Sequence, residues 1–250
     1  MSIARYRDWA ILIAMTAVFV VLIVNTEWWQ TALRFFFPDV SQVLHPRAPL
    51  GVLVLEHLEL VAISSTLTVL IGIPLGVWVT RPGGRAFLPI VTTVTSFGQT
   101  FPPVAVLALA VPILGFGLEP TVVALFLYGL LPVVRNTIAG LEGVSPALLD
   151  AARGLGMSRR QALWKVELPM AARVIIAGVR ISVIINIGTA MIGAVIGAGG
   201  LGSPIVAGLV QSNLAFVIEG AVPAALLAIL VDQLMARVED GFVFALPATD

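Results

Sequence analysis

The side chains able to do chemistry are sparse, and most are uncharged. Ser96, Gln99, Thr100, Asn136, Asn186 and Thr189 interrupt stretches that are otherwise apolar, with Phe97, Phe101 and Tyr128 among them. In an apolar medium such groups have two uses: each can hydrogen-bond a neighbouring helix, and together they can line a polar, uncharged path. Aromatic faces beside that path suit a quaternary ammonium, although the lane suits a neutral amino acid equally well. The acidic residues Glu56, Glu59, Glu219 and Asp232 lie near the ends of apolar segments. An ion-coupled carrier generally needs carboxylates at mid-membrane, so their absence there argues for energy supplied from elsewhere.

Catalytic patterns are missing. There is no H-E-x-x-H, no G-x-S-x-G and no paired acid–base set within one segment. Without cysteine there is no disulfide, thiol nucleophile or cysteine metal site, and His45 and His57 are too few for most histidine centres. Glu56, His57 and Glu59 stand close together, but no further histidine is near, so an interfacial helix start is the better reading than a metal site. The single lysine, Lys165, sits between Trp164 and Val166. A Walker A loop needs Gly-Lys-Ser/Thr, so any ATP chemistry must come from a partner. Gly197-Ala-Gly-Gly-Leu-Gly202 matches G-x-G-x-x-G in form only. A dinucleotide site needs a strand before it and a helix after it in a βαβ unit, whereas this stretch follows an apolar span and precedes Ser203-Pro204, and it reads as a turn at the outer surface.

The elements that position these residues are set by composition. The chain is 59% hydrophobic and 11% charged, has a mean hydropathy of +1.04, and is formally neutral. That is an all-α integral membrane protein with no bulk attraction to nucleic acid. A first span is expected over residues 9–24, uncleaved, with Trp28 and Trp29 in an interfacial belt. Residues 30–50 read as a proline-broken external connector whose Phe35-Phe36-Phe37 triplet rests on the interface. A second span covers about 50–80, longer than the ~20 residues needed to cross. Residues 86–117 form either one interrupted span or two short ones. Charge decides: one interrupted span leaves Arg81, Arg85, Arg153, Arg159, Arg160, Lys165, Arg173 and Arg237 inside with Arg5 and Arg7. Two spans would put the basic run outside, against the positive-inside rule. Spans at 120–140, 174–196 and 214–235 complete about six, with both termini cytoplasmic. Arg135 and Arg180 lie within spans near their inner ends, where they either serve function or snorkel to the interface. Gly72/Gly76 and Gly193/Gly197 are G-x-x-x-G pairs, suited to packing within the subunit or to a dimer contact.

The most polar stretch is residues 150–169, flanked by apolar spans. Ser145-Pro146 can open a helix, with Leu148, Ala151 and Leu155 on one face and Gly156 as a left-handed stop. Ser158 to Gln161 reads as a capping box opening a second helix, which Pro169 should end. The result is a two-helix elbow suited to docking. Its arginines could imitate a DNA-binding helix-turn-helix, but tethering at both ends to membrane spans argues against nucleic acid.

Asp150-Ala-Ala152, Gly156 and Val166-x-Leu-Pro169 follow the pattern E-A-A-x3-G-x9-I-x-L-P, with Asp for Glu and Val for Ile. This resembles the cytoplasmic-loop signature of permease subunits in binding-protein-dependent ABC importers. Gly98-Gln-Thr-Phe-Pro-Pro103, Ala124-Leu-Phe-Leu-Tyr-Gly-Leu-Leu-Pro132 with Arg135-Asn136-Thr137, and Ile184-Ile-Asn-Ile-Gly-Thr189 resemble the osmoprotectant branch, which handles glycine betaine, carnitine and choline. The Gly197–Gly202 turn completes the match, which covers residues 51–236. The resemblance implies a type I importer fold, a five-helix core plus one N-terminal helix. Residues 1–50 would be the added helix and connector, 51–236 the core with a coupling loop at 141–173, and 237–250 a cytoplasmic tail. It implies an ATPase dimer docked on the elbow through Asp150, Ala151, Ala152, Gly156, Leu168 and Pro169. It also implies a second permease, identical or paralogous, and an extracytoplasmic solute-binding protein in a lipid membrane. ATP and magnesium would sit on the ATPase, with no cofactor or metal in this chain. The path would use Ser96, Gln99, Thr100, Phe101, Tyr128, Asn136, Asn186 and Thr189. Alternative readings are a permease for methionine or another small amino acid, an ion-coupled secondary carrier, and a non-transporting scaffold.

Overall fold

The computed structural model describes residues 3–242, with side chains from Trp9 onward, and among them regular structure is helical with no strand. The expected tail therefore lies outside the described residues from 243 on, and so do the side chains of Arg5 and Arg7. Four helices are long and apolar enough to cross a membrane, and up to six spans qualify if each of two broken pairs is one span.

The chain forms two compact units, one from Met1–Ser64, Pro102–Leu125 and Ile184–Leu234, the other from Ser65–Phe101, Phe126–Val183 and Met235–Asp250. Helices α3 (Leu50–Val79), α6 (Leu118–Glu142), α9 (Leu168–Ala190) and α11 (Leu214–Gly241) contribute residues to both.

In the first unit, α1 (Ile3–Val24) turns by 79° into α2 (Thr26–Phe36). Asn25 makes that corner, its side chain accepting the Trp28 N–H as an N-cap. The connector is thus partly helical: Trp28, Phe35 and Phe36 are exposed while Leu33 is buried beside Val43 and Ala215. Sequence alone underrates this helix because its apolar face is narrow and its turns are marked only by Asn25. Leu12, Phe19, Ile23, Leu53, Leu201 and Leu227 form the larger apolar core. Helix α10 (Gly202–Gln211), unanticipated, follows the glycine turn and ends at Ser212 in the left-handed region.

His57 and Glu56 correct the interfacial reading. His57 is fully buried, with Nε2 at 3.0 Å from the Ile187 carbonyl, and Glu56 accepts the Gly200 N–H at 2.7 Å. Gly199 and Gly200 both have positive φ, and a Cβ on Gly200 would stand 3.1 Å from the His57 ring, so the turn fits α3 only as glycine. Of the second pair, Gly193 lies inside a 3-10 turn (Met191–Ile196) and packs closely on α6, where an added Cβ would come within 2.5 Å of Thr121, whereas Gly197 is the left-handed cap of that turn with nothing against it.

In the second unit, Gly72 and Gly76 let α3 approach α6. Added Cβ atoms would come within 2.9 Å of Val133 and 2.7 Å of Thr137. That favours packing within the subunit for this pair. Helix α4 (Leu88–Thr100) stops at Phe101-Pro102, and α5 (Pro103–Leu114) begins in the first unit. The segment at 86–117 is thus interrupted, as two helices broken at residues 101–102.

Pro169 does not end its helix. Arg159 to Ile196 is one continuous helical run, and Pro169 is the second residue of α9. A π-turn over Leu163–Glu167, in which the Leu168 N–H reaches the Leu163 carbonyl, precedes it. The wider turn relieves the clash of a proline ring with the carbonyl four residues back, here Lys165.

Candidate functional site

The elbow is built by local rules. Helix α7 (Pro146–Gly154) has Ser145 at the N-cap position and Pro146 first in the helix, although the Ser145 hydroxyl makes no cap bond. Its C-terminus is a Schellman motif. The Met157 N–H donates to the Ala152 carbonyl at 3.1 Å, and the Gly156 N–H donates to Arg153 at 2.9 Å. Gly156 supplies the left-handed residue, φ +76°. Helix α8 (Arg159–Ala162) opens with both bonds of the Ser158–Gln161 capping box present.

The faces of α7 matter more than its ends. Ala152 is buried, whereas Leu148, Ala151 and Leu155, the expected apolar face, all lie exposed, Leu155 at 78%. An apolar stripe pointing away from its own subunit is what a docking helix presents to a partner. Asp150 is also exposed and pairs with Arg153 at 2.9 Å, while Gly156 is exposed at the corner. Leu168 and Pro169 are half-buried at the start of α9.

Beside α7 lies a cleft of about 710 Å³ bordered by Arg81, Arg85, Glu142, Arg153, Arg159 and Glu167. Its charges are largely paired. Arg81 reaches the buried Glu167 at 2.7 Å, and Arg85 lies 3.6 Å from Glu142. Further along α9, Glu239 stands 3.3 Å from Arg180 and 3.6 Å from Arg173, so Arg180 has a carboxylate partner rather than a purely interfacial role.

Four polar-lane residues and Arg135 converge where α4 meets α6. Pro132 in α6 has no N–H, so the Tyr128 carbonyl four residues before it loses its helical donor. The Gln99 side-chain amide supplies one at 2.9 Å. The Tyr128 hydroxyl in turn donates to the Phe101 carbonyl, at the break after α4. Arg135 donates to the Ser96 hydroxyl at 3.4 Å, one turn away on the same two helices. Sequence reasoning placed Ser96, Gln99, Phe101 and Tyr128 as path candidates, and Arg135 as a charge within a span that either serves function or snorkels. It missed that they staple the broken segment to α6, which the proline four residues after Tyr128 signals.

The other candidates separate. Thr100 is exposed and bonds back to the Phe97 carbonyl at 2.9 Å. Asn136 bonds back to the Pro132 carbonyl at 2.8 Å and packs on Gly178. Asn186 lies in the first unit, fully buried, donating to Ser64 at 3.2 Å. Thr189 is half-buried three residues beyond it.

Residues 72–243 match the family described as "Binding-protein-dependent transport system inner membrane component". The chain belongs to this family. Permeases similar to this one include the osmoprotectant import permease OsmY of Salmonella typhimurium, 45% identical over 181 residues, covering 72% of this chain and 77% of OsmY. The choline transport system permease OpuBB of Bacillus subtilis is 43% identical, covering 74% and 84%. The glycine betaine/carnitine/choline permease OpuCB of Bacillus subtilis is 41% identical over the same shares, 74% and 84%. Among solved structures, a chain of the inward-facing MetNI methionine ABC transporter is 26% identical with a TM-score of 0.65, covering 75% of this chain and 93% of that one. The permease is thus a multi-pass inner membrane component with an ABC importer permease fold. Within it, Lys165 lies inside the π-turn and offers no phosphate-cradling loop. Among the described residues, no group of three metal-ligating side chains occurs either.

Proposed function

We propose that this permease is the transmembrane subunit of an ATP-driven importer that carries a compatible solute, glycine betaine or a related quaternary ammonium compound, across the cytoplasmic membrane. The observation that carries the coupling half is the exposed apolar face of α7, held by the Schellman corner at Gly156 inside the signature-bearing loop. The solute half is supported by the osmoprotectant, choline and carnitine permeases that the chain resembles at 40–45% identity.

In this reading both termini and the elbow are cytoplasmic. Two permeases, identical or paralogous, enclose the pathway, and an ATPase dimer carrying ATP and magnesium docks on the two elbows. A binding protein delivers the solute outside. Asp150, Ala151 and Gly156 form the exposed ATPase contact, Ala152 packs the helix down, and Leu168 and Pro169 join the elbow to α9. ATPase closure then turns α9 as a rigid lever, because the helix runs unbroken from the elbow into the apolar span. Ser96, Gln99, Thr100, Phe101, Tyr128 and Asn136 supply an uncharged lining, and Asn186 and Thr189 are assigned to the same path. Such a lining lets a zwitterion pass without a fixed countercharge to trap it.

Leu155→Asp tests the docking face. It changes an exposed residue, so folding should survive while the ATPase no longer co-purifies with the permease. Co-purification at the unmodified level would overturn the assignment.

A further inference from the structure

The external connector encloses a pocket that the coupling elbow and the polar lane do not use. It has a volume of about 360 Å³ and is bordered by Trp29, His45, Arg47, Leu50 and Glu219, all in the first unit. That volume lies within the roughly 300–1,000 Å³ of small-molecule sites. Glu219 is only 3% exposed. One of its oxygens, Oε2, accepts the His45 backbone N–H at 2.7 Å. Among the described residues no basic side chain pairs with it. Arg47, which also borders the pocket, is directed to the Ser203 hydroxyl at 3.4 Å.

A buried carboxylate held by one backbone amide is an incomplete arrangement, because desolvated charge calls for a countercharge. The walls say which kind. Trp29 contributes an indole whose Nε1–H is already donated to the Leu22 carbonyl at 2.8 Å, leaving its ring for apolar and cation–π contact. The His45 ring meets Phe216 edge-on at 5.5 Å, and burial and Arg47 both hold it below its usual pKa. It therefore adds no competing positive charge at neutral pH. Leu50 and the prolines of the connector are apolar. A carboxylate, an indole and apolar walls disfavour a hydrated ammonium or a metal ion, and the one cation at the border, Arg47, is engaged by the Ser203 hydroxyl. They suit a cation that carries its charge on methyl groups.

We propose that this pocket binds the quaternary ammonium head of a small osmolyte, with Glu219 as its countercharge and Trp29 as its aromatic wall. The site would hold solute at the external connector, with residues none of which belongs to the polar lane. The presence of such solutes there rests on the importer reading above; the chemistry of the pocket does not.

The test uses the assembled permease–ATPase complex in lipid nanodiscs, without binding protein, and radiolabelled tetramethylammonium and choline in equilibrium dialysis. Saturable binding is expected, competed by each cation but not by 3,3-dimethylbutan-1-ol, the uncharged isostere of choline. Glu219→Gln keeps an oxygen for the His45 N–H while removing the charge, and should weaken binding by about tenfold or more. Trp29→Leu should weaken it as well, with ATPase co-purification unchanged in both variants. Absence of saturable binding, equal competition by the neutral isostere, or unchanged affinity in Glu219→Gln would overturn the proposal. Uptake of choline and glycine betaine by the complete importer is measured in parallel. Uptake without tetramethylammonium binding sinks the pocket alone, and binding without uptake of either solute sinks the importer reading alone.

Discussion

Gln99 donates its side-chain amide to the Tyr128 backbone carbonyl at 2.9 Å, filling the vacancy that Pro132 leaves in α6. Proline inside a membrane helix normally frees a carbonyl that lipid cannot satisfy, and here a neighbouring broken helix satisfies it. The Tyr128 hydroxyl returns the favour to Phe101 at the break in that neighbour. Each interruption thus supplies what the other lacks, and the pair is fixed as a unit.

That exchange predicts a coupling that can be measured. Gln99→Leu leaves the Tyr128 carbonyl without a donor and should lower stability by about 1–3 kcal/mol. Pro132→Ala restores an N–H four residues after Tyr128, so in that background Gln99→Leu should cost much less. Thermal unfolding of the four proteins of this cycle gives the interaction term directly. Additive losses would mean that the Gln99 bond does not answer to Pro132.

Gly156 makes a second prediction. At φ +76° a side chain costs about 1–2 kcal/mol, least for Asn. No atom lies within 4 Å of an added Cβ, so the penalty is conformational rather than steric. ATP-driven uptake should therefore fall in the order Gly156, Asn, Ala, Val, tracking retention of the ATPase on purification. Equal uptake for Gly156→Val would show that the corner geometry is not required.

His45 gives a pH dependence. Burial first, and then Arg47, favour its neutral form in the folded protein. The groups around it are Arg47, the Glu219 carboxylate on its backbone N–H, and Phe216 edge-on. A lowered folded pKa means that its contribution is complete above the ordinary value of 6.5 and is lost as pH falls below that value. Hydrogen exchange in the connector, residues 37–49, should accelerate as pH is lowered from 7 to 5, after correction for intrinsic rates. His45→Phe keeps the aromatic edge and should remove the part of this change due to the imidazole.

Much of this was legible because it is local. The Ser158–Gln161 box, the Gly156 stop, the long second span and the break at residues 101–102 follow from neighbours in sequence, and each is present. What was not legible depends on distant partners. Glu56 and His57 read as polar residues at a membrane surface because nothing nearby reveals that Gly200 and Ile187 complete their bonds. Pro169 read as a terminator because proline rules are written for α-helices, and a π-turn changes the carbonyl that its ring must avoid. Helix α2 was hidden in a connector rich in proline and aromatic residues, although Asn25 capping Trp28 marks its start. The bonding of the polar residues was not legible either, since only the fold shows that Gln99, Phe101 and Tyr128 bond to one another while Asn186 bonds to Ser64.

The most direct measurement is solute uptake into proteoliposomes holding the permease, its ATPase and its binding protein. The account predicts accumulation of labelled glycine betaine or choline that requires ATP on the ATPase side and binding protein on the other. It also predicts that an imposed proton or sodium gradient does not drive uptake without ATP. Accumulation driven by the ion gradient alone, or ATP-driven uptake of methionine with neither osmolyte carried, would contradict it.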